Sequence, residues 1–326
     1  MEPMRILITG GTGFLGHHIA ERLLEDGHTL TLLGRTASSN TPQRGLFSLR
    51  CDLRHRAAVI AACRGQDAVI HAGALSAPWG RWEDFYAINV RGTAAILEGC
   101  ERFGVTRLIQ ISSPAVVFTG GDHQQTTEDA PYPRRFSSAY AQSKALAEQL
   151  VRNETRVASV ILRPKAIFGP GDRALLPRLV AAARAGRLPQ VGTGQNLVDL
   201  TYVRNVADAV ALALHRSAAL GRTYHITNNE HVPLWPLIRR VLRELGLNDR
   251  LRAVPLPLML AVAASMELRA KLTGCEPLLT RYSVAILGRT QTYDISAAQR
   301  DLGYQPRVTI ADGVAHTLGY LRQEVR

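Results

Sequence analysis

The sequence lacks any apolar run of roughly 18 residues or more, which is the length that a membrane-spanning helix needs. The N-terminus reaches Gly10 and Gly11 without the apolar core of a secretory signal peptide. The four cysteines show no C-x-x-C spacing and are typical of small buried side chains in a reducing compartment. These absences favour a cytoplasmic protein, and no metal site is predicted.

Lysine is scarce as well, because only Lys144, Lys165 and Lys271 among the 39 basic residues are lysines and the others are arginines. With 27 acidic residues, the net charge is +12. The basic residues are scattered, without interleaved aromatic residues, which favours a solvated basic surface over a nucleic-acid site. No nucleic-acid partner is predicted. Attraction to an anionic cofactor, an acidic substrate or a membrane surface stays open.

The first half of the chain alternates short apolar runs with helical periods. The strand-like runs are 4–9, 29–33, 46–49, 68–71, 108–111 and 158–162, and the helical stretches are 14–26, 57–63, 85–103 and 140–153. This alternation predicts βαβ units and a parallel sheet whose strands are buried on both faces. The prediction is an α/β protein with a doubly wound parallel sheet over residues 1–164. A smaller, mostly helical lobe is predicted over 165–326, with some segments returning to the sheet.

A glycine-rich turn, Thr9-Gly10-Gly11-Thr12-Gly13-Phe14-Leu15-Gly16, separates the first predicted strand from the first predicted helix. Its glycines satisfy G-x-G-x-x-G. Such glycines allow the tight turn, close approach of a pyrophosphate and helix–strand packing, and the pyrophosphate lies at the helix N-terminus. The strand–turn–helix context favours dinucleotide binding over a purely structural glycine turn. The cofactor contacts predicted here are Gly10, Thr12, Gly13, Phe14, Leu15 and Gly16.

The residue after the second predicted strand bears on the choice of dinucleotide. An acid there would hold the ribose hydroxyls of NAD, whereas this sequence has Arg35. Arg35 is suited to pair with a 2′-phosphate, and Ser38 or Ser39 to hydrogen-bond it. NADP(H) is therefore the preferred cofactor, and NAD(H) stays possible. Asp52 is placed to reach the adenine, with a helix-capping role as the alternative.

Tyr140 and Lys144 are spaced i, i+4 in a predicted helix and therefore share one face. A phenol with an ordinary pKa near 10 is a poor base at neutral pH. A nearby ammonium group favours the phenolate and lowers that pKa. Tyrosine can then take a proton from an alcohol, or give one to a ketone, as a hydride moves.

Taken together, these motifs resemble the extended short-chain dehydrogenase/reductases over nearly the whole chain and in the same order. The resemblance implies a Rossmann fold, with Tyr140 as general acid/base and Lys144 lowering its pKa and binding the nicotinamide ribose. It implies that Ser113, with Ser112 as the alternative, hydrogen-bonds the substrate oxygen. Asn89 would hold a helix kink or a water. The further cofactor positions that it implies are Asp52, Leu53, His71, Ala72, Gly73, Tyr140, Lys144, Pro164 and Ile167.

Within that family, the sequence departs from the sugar-nucleotide branches. The acids of the dehydratases are missing beside Ser113, and the tyrosine that epimerases often carry shortly after the serine is replaced by Val116-Val117-Phe118. The Gly169-Pro170-Gly171-Asp172 and 201–207 segments resemble the 3β-hydroxysteroid dehydrogenase-like branch. This resemblance implies a hydrophobic substrate of the long-chain 2-alkyl-3-oxoalkanoate or 3β-hydroxysteroid type, and a homodimer.

Several alternatives stay open at this point. The rivals are a sugar-nucleotide epimerase and a non-catalytic dinucleotide-binding protein. The segment Val254–Met266 is apolar almost throughout and is interpreted as a substrate lid, a helix in a membrane surface or a plain buried helix. Lys165 is expected either to meet an acidic group of the substrate or to point to water.

Overall fold

The computed structural model describes residues 2–36, 45–172 and 174–324. The strands in this part of the chain are β1 (Arg5–Thr9), β2 (Thr29–Gly34), β3 (Leu46–Arg50), β4 (Ala68–His71), β5 (Arg107–Ile111), β6 (His123–Thr126), β7 (Ser159–Pro164), β8 (Ile167–Phe168), β9 (Gln190–Val191), β10 (Leu197–Val198), β11 (Thr201–Tyr202), β12 (Thr223–Ile226), β13 (Val232–Pro233), β14 (Ala253–Val254) and β15 (Gln291–Tyr293).

Helices flank these strands throughout the described residues. They are α1 (Phe14–Glu25), α2 (Arg56–Ala62), α3 (Trp82–Phe85), α4 (Gly92–Phe103), α5 (Ala139–Asn153), α6 (Leu175–Arg184), α7 (Val203–His215), α8 (Leu234–Glu244), α9 (Leu256–Thr273), α10 (Arg281–Gly288), α11 (Ser296–Leu302) and α12 (Ile310–Glu324). A π-helical segment, Tyr86–Arg91, joins α3 to α4, and short 3-10 turns cover Pro114–Val117 and Ser217–Ala219.

The central sheet has seven parallel strands in the order β3-β2-β1-β4-β5-β7-β12. Successive strand residues point to opposite faces. Ile6 and Ile8 of β1 therefore pack with Ile19 of α1, whereas Leu7 packs on the other face with Ile96 of α4. The predicted doubly wound parallel sheet is confirmed.

The seventh strand, β12, comes from the second half of the chain. Its residues pair with β7, from Thr223 opposite Ile161 to Ile226 opposite Pro164. On the face of the sheet that α1 covers, α7 contributes Val210 and Leu214 to the same core. The division of the chain into two domains at residue 164 stays a prediction. The central sheet contains strands from both sides of that residue.

The second half also carries short strands that the sequence did not predict. With β6 of the first half they form a four-stranded sheet in the order β13-β10-β15-β6, and they also form the pairs β8–β11 and β9–β14. A separate core around Trp235, which is 1% exposed, packs α8, α9 and α10 together. This lobe therefore combines helices with strands of two or three residues.

Helix α9 contains most of the apolar segment of the sequence. Met259, Ala263 and Ala270 are buried, whereas Leu268 and Leu272 on another face are 61% and 79% exposed. Among the described residues, no helix is long and apolar enough to cross a bilayer. The helix thus has one buried face and one exposed face. This does not decide between the substrate lid, the membrane-surface helix and the buried helix that the sequence left open.

Candidate active site

The glycine-rich turn lies at the carboxyl end of β1, where the order of the sheet reverses between β1 and β4. In open α/β sheets, ligands bind outside the carboxyl ends of the strands at this position. Gly10 has a φ of 68°, and a Cβ atom there would lie 2.8 Å from the Cα atom of Gly73. A Cβ atom on Gly16 would lie 2.2 Å from the carbonyl oxygen of Gly10. Glycine alone fits these two positions.

Helix α1 begins next to this turn without a capping side chain. Gly13 is its N-cap, and its first turn contains no acidic residue. The first-turn N–H groups, which include those of Phe14, Leu15 and Gly16, point out of the helix end together with its positive dipole. This uncapped helix end, beside a cradle that Cβ atoms would fill, fits the pyrophosphate of a dinucleotide.

The end of β2 lies beside the turn. Thr12 packs so closely on Gly34 that a Cβ atom on Gly34 would lie 2.3 Å from the Thr12 hydroxyl oxygen. Arg35 follows directly and is exposed. Ser38 and Ser39 lie outside the described residues. The structure therefore places Arg35 at the end of β2, beside the glycine turn, where a 2′-phosphate is predicted.

Asp52 follows β3 and holds Arg54 with both carboxylate oxygens. The backbone N–H and Nε of Arg54 donate to Oδ1 at 2.9 and 3.0 Å, and its Nη2 donates to Oδ2 at 2.8 Å. These bonds lower the pKa of Asp52 to about 2, with a smaller contribution from Arg35. Asp52 does not cap a helix, because His55 is the N-cap of α2, so that interpretation is wrong. One lone pair of Oδ2 is left for a donor such as an adenine amino group.

His71 lies beneath the turn, at the end of β4. Its Nδ1 is 2.6 Å from the Thr9 hydroxyl, and its Nε2 is 3.0 Å from the Thr93 hydroxyl. The Thr93 hydroxyl donates to the carbonyl oxygen of Asn89, and Thr9 accepts the N–H of Gly73. These bonds assign the proton to Nε2. Burial lowers the pKa of His71 to about 3, so the ring is neutral and supports the backbone under the cofactor site.

Leu53, Ala72 and Gly73 complete this wall. A Cβ atom on Gly73 would lie 3.0 Å from Leu53 Cδ1, so the Leu53 side chain packs directly over the backbone after β4. Ala72 and Gly73 are partly accessible to solvent. The structure thus brings these three predicted cofactor positions together.

Asn89 lies in the π-helical segment, a local irregularity that is frequent at functional sites. Its Oδ1 accepts the N–H of Leu75 at 2.7 Å, and its Nδ2 donates to the Leu75 carbonyl and the Ser143 hydroxyl at 3.0 and 2.9 Å. The side-chain amide ties the segment after β4 to α5. This geometry favours a positioning role at the helix irregularity over a role in holding a water with the side chain.

Tyr140 lies in the first turn of α5, which begins after Ser138. The Ser138 hydroxyl caps the helix by accepting the N–H of Ala141 at 3.1 Å. Burial raises the pKa of Tyr140, and hydrogen bonds with the side chains of Ser76 and Ser113 oppose that rise. The structure therefore brings Tyr140 and Ser113 together. It adds Ser76, which the sequence analysis missed.

Ser113 and Ser112 differ in their surroundings at the end of β5. Ser113 has extended backbone, and its hydroxyl accepts the N–H of Ala115 at 3.2 Å. Ser112 is 5% exposed, and its N–H continues the sheet by donating to the Leu162 carbonyl at 2.7 Å. Ser113 is the serine that faces Tyr140.

Lys144 lies one turn after Tyr140 and is 4% exposed. Its Nζ donates to the carbonyl oxygen of Ile111, the last residue of β5, at 2.6 Å. Burial lowers the pKa of Lys144 to about 8, and the Glu148 carboxylate acts in the opposite direction. This interaction fixes the ammonium group at the carboxyl edge of the sheet.

A buried ion pair that the sequence analysis missed supports this helix. Glu148 accepts two hydrogen bonds from Arg163 of β7, from Nε at 2.9 Å and from Nη2 at 2.7 Å, and one from the Tyr132 hydroxyl at 2.7 Å. These donors hold the pKa of the Glu148 carboxyl below its usual range against burial. The i, i+4 spacing from Lys144 to Glu148 in the predicted helix was the sequence signal that could have indicated a carboxylate at this position.

The remaining predicted cofactor positions, Pro164 and Ile167, lie at the same edge. Pro164 ends β7 opposite Ile226, and Ile167 pairs with Thr201 in β8. Between them Ala166 has a φ of 43°, so the chain bends sharply there. The bend turns the chain from the main sheet into the second lobe.

Tyr282 of α10 is a second neighbour of Tyr140 that the sequence did not reveal. The two phenol groups interact electrostatically, and burial raises the pKa of Tyr282. Phe118 meets Tyr282 edge to face, with ring centres 6.3 Å apart. The second lobe thus places Tyr282 beside Tyr140, and Phe118 of the first half packs against it as an aromatic wall.

This glycine turn and this Ser–Tyr–Lys arrangement define an NAD(P)-dependent oxidoreductase of the short-chain type that acts on CH–OH groups. Comparison with known proteins agrees. The model of the 3-beta hydroxysteroid dehydrogenase/isomerase family matches residues 7–258. The chain therefore belongs to the 3-beta hydroxysteroid dehydrogenase/isomerase family, within the extended short-chain dehydrogenase/reductases.

Two curated relatives span almost the full chain. The 2-alkyl-3-oxoalkanoate reductase of Stenotrophomonas maltophilia is 36% identical over 95% of this chain and 97% of its own length. The decarboxylating sterol-4-alpha-carboxylate 3-dehydrogenase of Homo sapiens is 34% identical over 98% of this chain and 89% of its own. Among solved structures, MoeE5 in complex with UDP-glucose and NAD has a TM-score of 0.78 at 24% identity, covering 99% of this chain and 100% of its own, a likeness of fold.

Proposed function

We propose that this protein interconverts a secondary alcohol and a ketone on a hydrophobic substrate. The observation that carries this proposal is the placement of Tyr140, Ser113 and Lys144 at one edge of the sheet, beside the glycine turn. A bound nicotinamide dinucleotide supplies the hydride acceptor or donor. The glycine turn and the N-terminus of α1 would hold its pyrophosphate, and Lys144 and the residues after β4 and β7 its nicotinamide half.

Tyr140 handles the proton. In the reductive direction its hydroxyl donates a proton to the substrate oxygen, and in the oxidative direction its oxygen takes that proton. The Ser113 hydroxyl donates a hydrogen bond to the same oxygen and orients it. Burial and, to a smaller extent, the Glu148 carboxylate raise the pKa of Tyr140, so a phenolate needs positive charge nearby. Lys144, on the same face of α5, supplies this charge.

The substrate would lie against the aromatic wall of Phe118 and Tyr282. Apolar side chains there favour a substrate with a large hydrophobic part. The two curated relatives are named for acting on an alkyl-oxoalkanoate and on a sterol carboxylate. We therefore propose a long-chain 2-alkyl-3-oxoalkanoate or a 3β-hydroxysteroid as the substrate type.

We also propose that NADP(H) is preferred to NAD(H). Arg35 lies exposed after β2, where an acid would repel a 2′-phosphate and a guanidinium group attracts it. Arg35 acts on Asp52, and Arg54 adds a second cation there. The adenosine end of the site is therefore net positive.

The experiment that tests the proposal is turnover of Tyr140→Phe on 2-alkyl-3-hydroxy acids and 3β-hydroxysteroids. The variant is expected to lose about 10²- to 10⁴-fold in kcat and to keep its affinity for the cofactor, because only the proton transfer is removed. Tyr320→Phe on α12 makes the same chemical change far along the chain and should keep wild-type turnover. Wild-type turnover by Tyr140→Phe would refute the assignment.

The same assay addresses the sugar-nucleotide epimerase alternative. UDP-glucose is added with catalytic amounts of cofactor, and its product is analysed by chromatography. Epimerisation of UDP-glucose without turnover of any hydroxy acid or steroid would replace the proposal with the epimerase function. A homodimer, contact with a membrane surface and a cytoplasmic location stay predictions.

A further inference from the structure

Lys165 is a partly buried cation at the carboxyl edge of the sheet, and no carboxylate partner is found for it among the described residues. Its Nζ donates to the side-chain amide oxygen of Gln291 at 2.6 Å and lies 5.7 Å from the ring centre of Tyr293. Within the described part of the chain, no carboxylate oxygen lies within 4.0 Å of this ammonium group. Burial lowers the pKa of Lys165 to about 8, against the pull of Asp199, so the charged form still predominates at pH 7.

The Asp199 carboxylate, whose charge raises the pKa of Lys165, is hydrogen-bonded to other groups. Its Oδ1 is 2.5 Å from Nδ1 of His231, and its Oδ2 accepts the N–H of Tyr293 at 2.7 Å. Asp199 is completely buried, so it is held in this position. The Lys165 ammonium group has three donors, and a neutral amide is the acceptor found for it among the described residues. An anionic ligand would offset the cost of removing part of this charge from water.

The register of β7 sets the direction of Lys165. Arg163 points to the face covered by α5, because it pairs with Glu148 of that helix. The Lys165 N–H still donates to the Ile226 carbonyl at 3.0 Å, so the strand pairing extends to this residue. Side chains two residues apart share a face, and Lys165 therefore lies on the α5 face.

Tyr140 lies on that same face and at that same edge. Lys144 of α5 reaches the carbonyl of Ile111 at the carboxyl end of β5, and Val151, further along α5, packs in the core cluster that contains Leu108 near the start of β5. The helix thus runs antiparallel to the strands. Its first turn, with Tyr140, projects beyond the strand ends.

Aromatic residues connect the two positions. Tyr282 interacts electrostatically with both Tyr140 and Tyr293, and the Tyr293 ring faces the Lys165 ammonium group. On another side, Phe118 touches Tyr282 with ring centres 6.3 Å apart. An apolar substrate that lies between these rings would therefore meet the Tyr140 phenol at one end and the Lys165 ammonium group at the other.

We propose that Lys165 binds a carboxylate of the substrate, so that the enzyme selects hydroxy acids and oxo acids over neutral alcohols and ketones. This inference rests on the proposed function and names the substrate class of that site. An ammonium–carboxylate hydrogen bond is about twice as strong as a neutral one and fixes one end of the substrate. Lys165 then orients the carbon–oxygen bond toward Tyr140 and Ser113.

The test compares a long-chain 2-alkyl-3-hydroxy acid with its methyl ester, both oxidised with NADP⁺ by wild type, Lys165→Met and Lys165→Arg. The wild type is expected to prefer the acid. Lys165→Met should raise KM for the acid by about 10- to 100-fold and leave KM for the ester unchanged. Lys165→Arg should keep part of the preference. Lys271→Met removes an exposed lysine of α9 and should change neither.

A second measurement separates this inference from the proposed function. Calorimetry follows binding of a 2-alkyl alkanoic acid, which lacks the reacting oxygen, to the NADPH complex of each variant. Tight binding that Lys165→Met loses, without turnover of any hydroxy acid, would support the carboxylate site and overturn the proposed reaction. Equal losses for acid and ester, or binding of the acid that does not depend on Lys165, would overturn the carboxylate site alone.

Discussion

The arginine and lysine side chains of the site serve different purposes. Arg163 meets Glu148 with two parallel hydrogen bonds deep under α5, a geometry that the planar guanidinium group suits. Lys144 and Lys165 instead place a single point charge at the edge of the sheet, each on a neutral oxygen. In a chain with three lysines among 39 basic residues, two of them lie where a ligand would approach.

Arg35→Ala is expected to weaken NADPH binding by about 10- to 100-fold and to leave NADH binding unchanged, because only NADPH carries the phosphate that the guanidinium group would meet. Titration of nicotinamide fluorescence measures both. Arg64→Ala removes an exposed arginine at the opposite edge, beside Phe103, and serves as the control. Equal weakening of both cofactors, or no change in either, would contradict the NADP(H) preference.

The buried His225 side chain leads us to expect that the folded protein loses stability in acid. Burial lowers the pKa of His225 to about 3, as it does for His71. Below about pH 6.5 the unfolded chain takes up protons that the folded ring refuses, so the free energy of unfolding falls as the pH drops toward 3. Each ring contributes a slope of at most about 1.4 kcal/mol per pH unit.

His225→Phe should therefore flatten the dependence of the unfolding free energy on pH between about 6.5 and 3. Urea unfolding at a series of pH values measures this slope. His17→Phe makes the same change at an exposed position of α1 and should leave the slope as in wild type. An unchanged slope in His225→Phe would mean that this ring is protonated in the folded protein.

At the scale of elements, the glycine turn shows how local sequence sets the site. Gly16→Ala places a Cβ atom 2.2 Å from the Gly10 carbonyl, so the turn must move away from α1. We expect a loss of about 1–3 kcal/mol in stability and a loss of NADPH binding, measured by denaturant unfolding and by fluorescence titration.

Gly319→Ala in α12 is the matched control for that substitution, because a Cβ atom there meets nothing within 4 Å. It should leave NADPH binding intact and stabilise the helix by up to about 1 kcal/mol. Tight NADPH binding by Gly16→Ala would show that the cofactor does not need the close turn.

The elements that the sequence predicted are those with a strong local signal. Most strands of the parallel sheet have an apolar centre, such as Ile6-Leu7-Ile8 in β1, and the run at 68–71 coincides with β4. The glycine turn, Tyr140 and Lys144 likewise follow from short motifs. Tyr282 and the two-residue strands β8 to β11 carry no such signal, because their positions depend on partners far away in the chain. The π-helical turn at Asn89 was expected only as a kink.

For the whole molecule, the main consequence is that the two halves share one sheet and one core. β12 closes the edge of β7, and α7 packs against α1 below the glycine turn. Tyr304, from near the C-terminus, is completely buried and donates to the Thr227 carbonyl at 3.0 Å. Because β12 and α7 of the second half complete the core of the first half, we expect the two halves to unfold together.

This coupling can be measured with tryptophan. Replacing Trp79 and Trp82 by Phe leaves Trp235, which is buried in the core of the second lobe, as the single reporter. Its unfolding midpoint should coincide with that seen by circular dichroism. NADPH at about 100 times its Kd should stabilise both by about 2.7 kcal/mol, although it contacts mainly the first half. Cofactor that shifts the circular dichroism transition and leaves the Trp235 transition in place would instead mean two independently folding domains. In that case the position of Tyr282, in the second half, would not depend on the folding of the first half, which carries Tyr140.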